Sequence, residues 1–297
     1  MNFYANVIMV GNDFLVRGYE NGKRVQYREK FQPTLFVKSN RESEWKTLEG
    51  ENVEPIQPGY VRDCREFYKK YDGVDGFKIY GNDRYIYQYM SEKFPQDEIK
   101  WDMSKIKLVT IDIEVKSEAG FPSPDSCSEE MLTISIQDYN TKQILTWGRK
   151  PYTPSQKNVT YFHHEEEVDM LRAFINWWNE DPPEVITGWN CRLYDIPYLC
   201  GRVDRIMGTK EMKRLSPWNI IQHDEVYING RPHNVYNIAG VTTLDFMDLY
   251  KKFTYVNRES YRLDFIAETE LGQKKLDHSE FNLSLIHISE PTRLSTI

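Results

Sequence analysis

The stretch LVTIDIEVKS, residues 108–117, constrains this chain more tightly than any other. Leu108, Val109, Ile111, Ile113 and Val115 are aliphatic, mostly β-branched, and read as a buried strand. Asp112 and Glu114 interrupt that run. Side chains alternate faces along a strand, so the two carboxylates point the same way, roughly 6–7 Å apart. Like charges that close repel, and partial burial strengthens the repulsion. Two arrangements relieve it. The strand can lie at an edge with Thr110, Asp112 and Glu114 facing water, or the carboxylates can share a divalent cation, for which they are the usual hard-oxygen ligands.

The surrounding chain narrows the setting. Its 297 residues suggest two domains. Residues 3–38 alternate apolar and polar around GND and ENGK, which predicts strands near 3–10, 14–19, 24–30 and 34–38. Apolar positions at helical spacing predict helices over 60–71 and 83–94. Residues 1–101 thus form a β-rich domain. From about residue 102 the pattern changes: strands over 107–115, 131–138 and 143–149, a helix over 165–180, a strand in PEVITGW, and a helix that Asp195 opens as N-cap and Gly208 stops. HDEVYINGRPHNVYNI predicts a hairpin turning at Asn229-Gly230. GVTTLDFMDLYKKF predicts a strand turning into a helix, with Asp245 and Asp248 in its first turn. Strands mixed with covering helices give an α+β or mixed α/β class with a sheet protected on both faces.

Composition removes several function classes. A hydrophobic content of 40% with 20 Tyr supports packed cores and argues against disorder. A net charge of −7 denies the chain a global basic signature for nucleic acid, though a local groove beside acidic metal ligands remains compatible with it. Cys64, Cys127, Cys191 and Cys200 have no CxxC spacing and read as reduced thiols of a cytoplasmic protein. No segment approaches a membrane span. His163 and His164 are adjacent on a strand and point to opposite faces, so they cannot share an ion.

ITGWNCRLYD, residues 186–195, supplies company for the paired acids. Taken alone, Asp195 is a helix cap, Trp189 a core aromatic and Asn190 a turn former. Together, DIE on one strand and GWNxxxYD some eighty residues later resemble the first two exonuclease motifs of family B DNA polymerases, whose proofreading domains have a ribonuclease-H-like fold with a mixed sheet flanked by helices. The opening FYANVIMVGNDFLVRGYENGKRVQYREKFQPTLFV, the GFPSP loop, RLSPW and LDFMDLYKKFTY are similar to the replicative polymerases of large tailed bacteriophages, over residues 1 to about 280. That resemblance implies two-metal hydrolysis at a single-stranded DNA 3′ end, with Mg²⁺ or Mn²⁺ as cofactor. Asp112 would bridge both ions, Glu114 would hold one and Asp195 the other. The three carboxylates should then converge within about 8 Å. Phe121 would wedge against the unpaired end, Trp189 and Asn190 would lie near the terminal nucleotide, Lys275 would contact phosphate, and the Asn229-Gly230 hairpin would help part primer from template. Primer-template and single-stranded DNA are the implied partners, with a sliding clamp engaged through sequence that would follow this chain, and a host cell's cytoplasm is the implied location.

The chain departs from that family after Phe281. The third exonuclease motif, a Tyr and an Asp three residues apart, is absent. LSLIHISEPTRLSTI reads as translated adapter sequence, so residues 283–297 are expected to be a non-native tail and 102–282 an exonuclease domain lacking its third motif. Two other readings stand beside this one. The first is a single-stranded DNA or RNA binding module built on the aromatics and lysines of residues 1–101. The second is a standalone exonuclease of the same four-acid class, which the preceding β-rich domain disfavours.

Overall fold

The computed structural model describes residues 2–81, 83–95, 99–117, 120–228 and 230–273. Asn229, Lys275 and the tail at 283–297 lie outside these residues. The chain divides into two compact units, Met1–Met103 and Ser104–Ile297.

The first unit begins with an antiparallel meander of β1 (Phe3–Val10), β2 (Asp13–Glu20) and β3 (Lys23–Lys30). Asn21 and Gly22 both take positive φ, 52° and 76°, which is the twist a two-residue hairpin needs and the reason ENGK turns here. A second sheet has the order β5 (Trp45–Lys46), β6 (Asn52–Ile56), β4 (Leu35–Lys38), β7 (Ile79–Tyr80). Helices α1 (Val61–Tyr71) and α2 (Tyr85–Lys93) supply Val61, Cys64, Tyr85 and Tyr89 to a core shared with Phe14, Val16 and Leu35. Phe14 stacks on Tyr89 with ring centroids 4.5 Å apart.

The second unit is built on a six-stranded mixed sheet. Its strands are β8 (Leu108–Val115), β9 (Met131–Asp138), β10 (Ile144–Gly148), β11 (Val159–His163), β12 (Val185–Gly188) and β15 (Thr242–Asp245), in the order β11-β10-β9-β8-β12-β15. β8 is interior, antiparallel to β9 and parallel to β12, which excludes the edge-strand reading of its carboxylates. Its odd positions Val109, Ile111, Ile113 and Val115 are buried in one core with Ile134, Ile136, residues of α3 (Glu167–Glu180) and residues of α4 (Asp195–Met207). Its even positions carry Thr110, Asp112 and Glu114, with Asp112 exposed, so cover from both sides does not extend over this point. Beyond α4 follow α5 (Thr209–Lys213), the hairpin β13 (Ile221–Ile228) and β14 (Arg231–Ile238), then α6 (Phe246–Phe253) and α7 (Leu263–Leu271). All four cysteines are free and buried. No described helix is long and apolar enough to cross a membrane.

Candidate active site

The site forms where β12 stops short. β12 pairs with β8 only as far as Thr187 opposite Thr110, while β8 runs on to Val115. Gly188 then turns the chain. A Cβ there would stand 2.8 Å from the Ile111 carbonyl oxygen and 2.9 Å from Cys191 Cβ, so only glycine lets the backbone pass this close to β8. Asn190 follows in the left-handed region at φ 64°, and its carbonyl accepts from the N–H groups of Leu193 and Tyr194. This tight loop delivers α4 beside the part of β8 that β12 leaves unpaired. Ile113 N–H donates to Asp195 Oδ1 at 3.1 Å. The carboxylate takes the place of a strand carbonyl, satisfying a backbone donor that would otherwise be buried without a partner.

Asp195 is therefore not the N-cap the sequence suggests. Tyr194 occupies that position and makes no side-chain cap, and Asp195 is the first helical residue. The difference is physical: its side chain is committed across the sheet rather than to its own helix. The side chain is buried, and burial pushes its carboxyl well above the usual carboxylate range. The negative charge of Asp112 adds to the rise, and the Ile113 N–H opposes it. Asp112 and Asp195 thus sense each other as like charges. Glu114 lies on the same face of β8 as Asp112, and its charge reaches the Tyr194 hydroxyl, which burial holds above the ordinary tyrosine range.

The donor set is hard oxygen, one member is buried, and the mutual repulsion falls if a cation sits between them; that chemistry fits Mg²⁺ or Mn²⁺. Among the described residues no group of three or more His, Cys, Asp or Glu side chains stands in a metal-holding arrangement. The described geometry therefore offers the Asp112–Asp195 pair, with Glu114 two residues further along the strand.

Around this pair the other expected residues divide. Phe121 is 82% exposed and its ring lies 5.1 Å from that of Tyr194, so it sits above the residue preceding Asp195 rather than in the core. Trp189 is half-buried. Its indole N–H donates to the Tyr261 carbonyl at 3.0 Å, and its ring packs near Phe246 and Tyr250. That is an anchoring role for the 246–261 segment. Asn190 shapes the loop through its backbone. The hairpin is well formed, with Gly230 at φ 75° in its turn and an outward strand β13.

Two sets of residues that motif reading passed over hold the site in place. Asp245, buried at the end of β15, caps α6 by accepting from Met247 N–H at 2.9 Å. It also accepts from Asn190 N–H at 3.0 Å and Arg192 N–H at 2.9 Å. The sequence shows a helix start at DFMD; it carries no sign that the same carboxylate fastens the loop before Asp195. The second set is an ion pair. Arg202 on α4 meets Glu167 on α3 through two bonds of 2.8 and 2.7 Å, both side chains buried. Glu167 also accepts from Met131 N–H, while Arg202 donates to the carbonyls of Cys127 and Ser128. The loop bearing Phe121 is clamped to the two helices this way. His163 ends β11 and His164 hydrogen-bonds Gly148 through its backbone, a structural placement for both.

Residues 81–266 match the family model for the exonuclease domain of DNA polymerase family B. The chain is 28% identical to the DNA-directed DNA polymerase of Enterobacteria phage T4 and 27% identical to that of Escherichia phage RB69, each match covering 93% of this chain and 33% of the relative. The DNA polymerase catalytic subunit of Saimiriine herpesvirus 2 is 24% identical, over 68% of this chain and 21% of the relative. The chain spans about a third of the length of the phage relatives it matches.

Proposed function

This chain belongs to the DNA polymerase family B exonuclease domains, and from that premise we propose that it performs proofreading hydrolysis, removing nucleotides from the 3′ end of single-stranded DNA. The observation that carries the reading is the Ile113 N–H bond to Asp195, which holds a buried carboxylate against the strand that bears Asp112 and Glu114.

Asp112, Glu114 and Asp195 are the proposed ligands of Mg²⁺ or Mn²⁺. When bound, two such ions supply Lewis acidity and neutralise charge at the scissile phosphate. The chain's own groups do the placing. Asp195 is fixed by its bond to β8 and cannot swing away. Tyr194 and Phe121 offer a ring surface on which an unstacked terminal base of any sequence can lie. The Gly188–Asn190 turn keeps the backbone close to β8. Single-stranded DNA and the frayed end of a primer-template are the proposed substrates, and the cytoplasm of a host cell the proposed place of action.

The test is digestion of a 5′-labelled single-stranded oligonucleotide with Mg²⁺ or Mn²⁺. The reading expects a ladder of 3′-shortened products and a loss of at least about 10²-fold in Asp112→Ala, the scale on which misplaced catalytic geometry costs rate. Equal ladders from the parent and Asp112→Ala contradict it.

A further inference from the structure

The hairpin and the Phe121 loop are joined by one side chain. Asn234 on β14 donates through Nδ2 to Asp125 Oδ1 at 2.7 Å, and its Oδ1 lies 2.8 Å from His223 Nε2. With the amide oriented by Asp125, the histidine nitrogen is the donor in the second bond. His223 in turn stacks on Tyr236 with centroids 4.5 Å apart and planes within 8°. Tyr236 packs against the core that includes Cys127 and Cys200. Asp125 is four residues from Phe121, whose ring contacts Tyr194 next to Asp195. An unbroken series of contacts therefore runs from the hairpin to the catalytic carboxylate.

Asn234 also sits at a particular place along the hairpin. It pairs in register with Glu225, and only Val226–His233, Tyr227–Pro232 and Ile228–Arg231 lie beyond it toward the turn. At about 3.4 Å per residue these three pairs make a free arm roughly 10 Å long. Tyr227 on that arm is 71% exposed. We propose that Asn234 is a positioning residue that fastens this arm to the Phe121 loop, so that the two exposed aromatics keep a fixed relation and an unpaired 3′ end is favoured over a paired one.

The proposal rests on the exonuclease reading, and its test separates the two. Asn234→Asp puts a carboxylate against Asp125 and breaks the link by repulsion. Asp125→Asn combined with Asn234→Asp restores it with donor and acceptor exchanged, leaving the new carboxylate able to accept from His223. In the full chain, backbone hydrogen exchange over residues 120–128 should quicken about three- to tenfold in Asn234→Asp, the scale set by one surface hydrogen bond, and return to within about twofold of the parent in the double variant. The preference for unpaired over paired 3′ ends in oligonucleotide digestion should fall and recover in the same order, while the rate on a fully single-stranded oligonucleotide stays near the parent's. Unchanged exchange in Asn234→Asp, or loss without recovery in the double variant, overturns the positioning role. Digestion that survives Asp112→Ala overturns the exonuclease reading instead, and the exchange measurement still decides whether Asn234 is the fastener.

Discussion

The two units of this molecule differ in what they bury. Among the described residues the first unit buries Arg17 and Ser39 but no carboxylate, and its core rests on rings such as Phe14, Tyr85 and Tyr89. The second buries Glu167, Glu184, Asp195 and Asp245. Each of these four accepts a hydrogen bond from a backbone N–H distant in sequence: Met131, Lys107, Ile113, and Asn190 with Arg192. Buried carboxylates are costly unless satisfied, so they are poor cores but good fasteners. The first unit is held by fit, whereas the second uses charge to hold loops around β8. Asp195 stands apart among the four, because it alone faces another carboxylate, Asp112, that raises its pKa alongside burial.

This contrast can be broken most sharply at the clamp. Arg202→Met should destabilise the second unit by about 3–5 kcal/mol, because it leaves Glu167 buried without its counter-charge. Adding Glu167→Leu should recover only part of that loss. The backbone groups of Cys127, Ser128 and Met131 remain without partners, and urea unfolding measures the shortfall. Phe14→Ala in the first unit should cost a comparable 3–5 kcal/mol by leaving a cavity, yet leave hydrogen exchange in the Phe121 loop untouched. If both substitutions loosen that loop alike, the units do not differ as described. Asp245→Ala should cost about 2–3 kcal/mol, from one helix cap and two loop bonds, and should free the amides of Asn190 and Arg192 to exchange.

How much of this was legible beforehand follows from where the information lies. β1 to β4, β8 to β10, both hairpin strands and four helices were visible because alternation, helical spacing and turn residues are local signals. β6 was missed because Pro55 argues against a strand; it is tolerated since β5 pairs only with Asn52 and Val53, leaving Pro55 on an open side. β11 was missed because its residues are half-buried or exposed and show no clean alternation. In the site, Asp112 and Glu114 announced themselves by lying in an apolar run. Asp195 was found through its motif but assigned the wrong bond, since a cap and a cross-sheet acceptor look alike in sequence. Asp245 and the Glu167–Arg202 pair were invisible because their partners are between 35 and 55 residues away.

Smaller effects sharpen the comparison at Asp195 and Phe121. The folded pKa of Asp195 lies above its ordinary value of 3.8. Its contribution to stability is therefore fully present below about pH 3.8 and is lost as pH rises through the folded pKa. Asp195→Asn can still accept from Ile113 N–H and does not titrate. In chelator it should melt higher than the parent at pH 7, with the gap closing toward pH 4. Phe121→Ala should shift stability by no more than about 0.5 kcal/mol, as befits an exposed ring, while weakening retention on single-stranded DNA by about 1–3 kcal/mol.

The central claim is that Asp112 and Asp195 repel each other in order to receive a divalent cation. Thermal melting across an Mn²⁺ titration at pH 7 tests it directly, for the parent, Asp112→Asn and Asp195→Asn. A ligand that binds the folded chain alone raises the midpoint progressively with concentration. The account predicts that the parent starts lowest in chelator and climbs with Mn²⁺, while both variants start higher and stay flat. A parent whose midpoint ignores Mn²⁺, or variants that climb in parallel with it, would contradict the assignment of these carboxylates to a metal site.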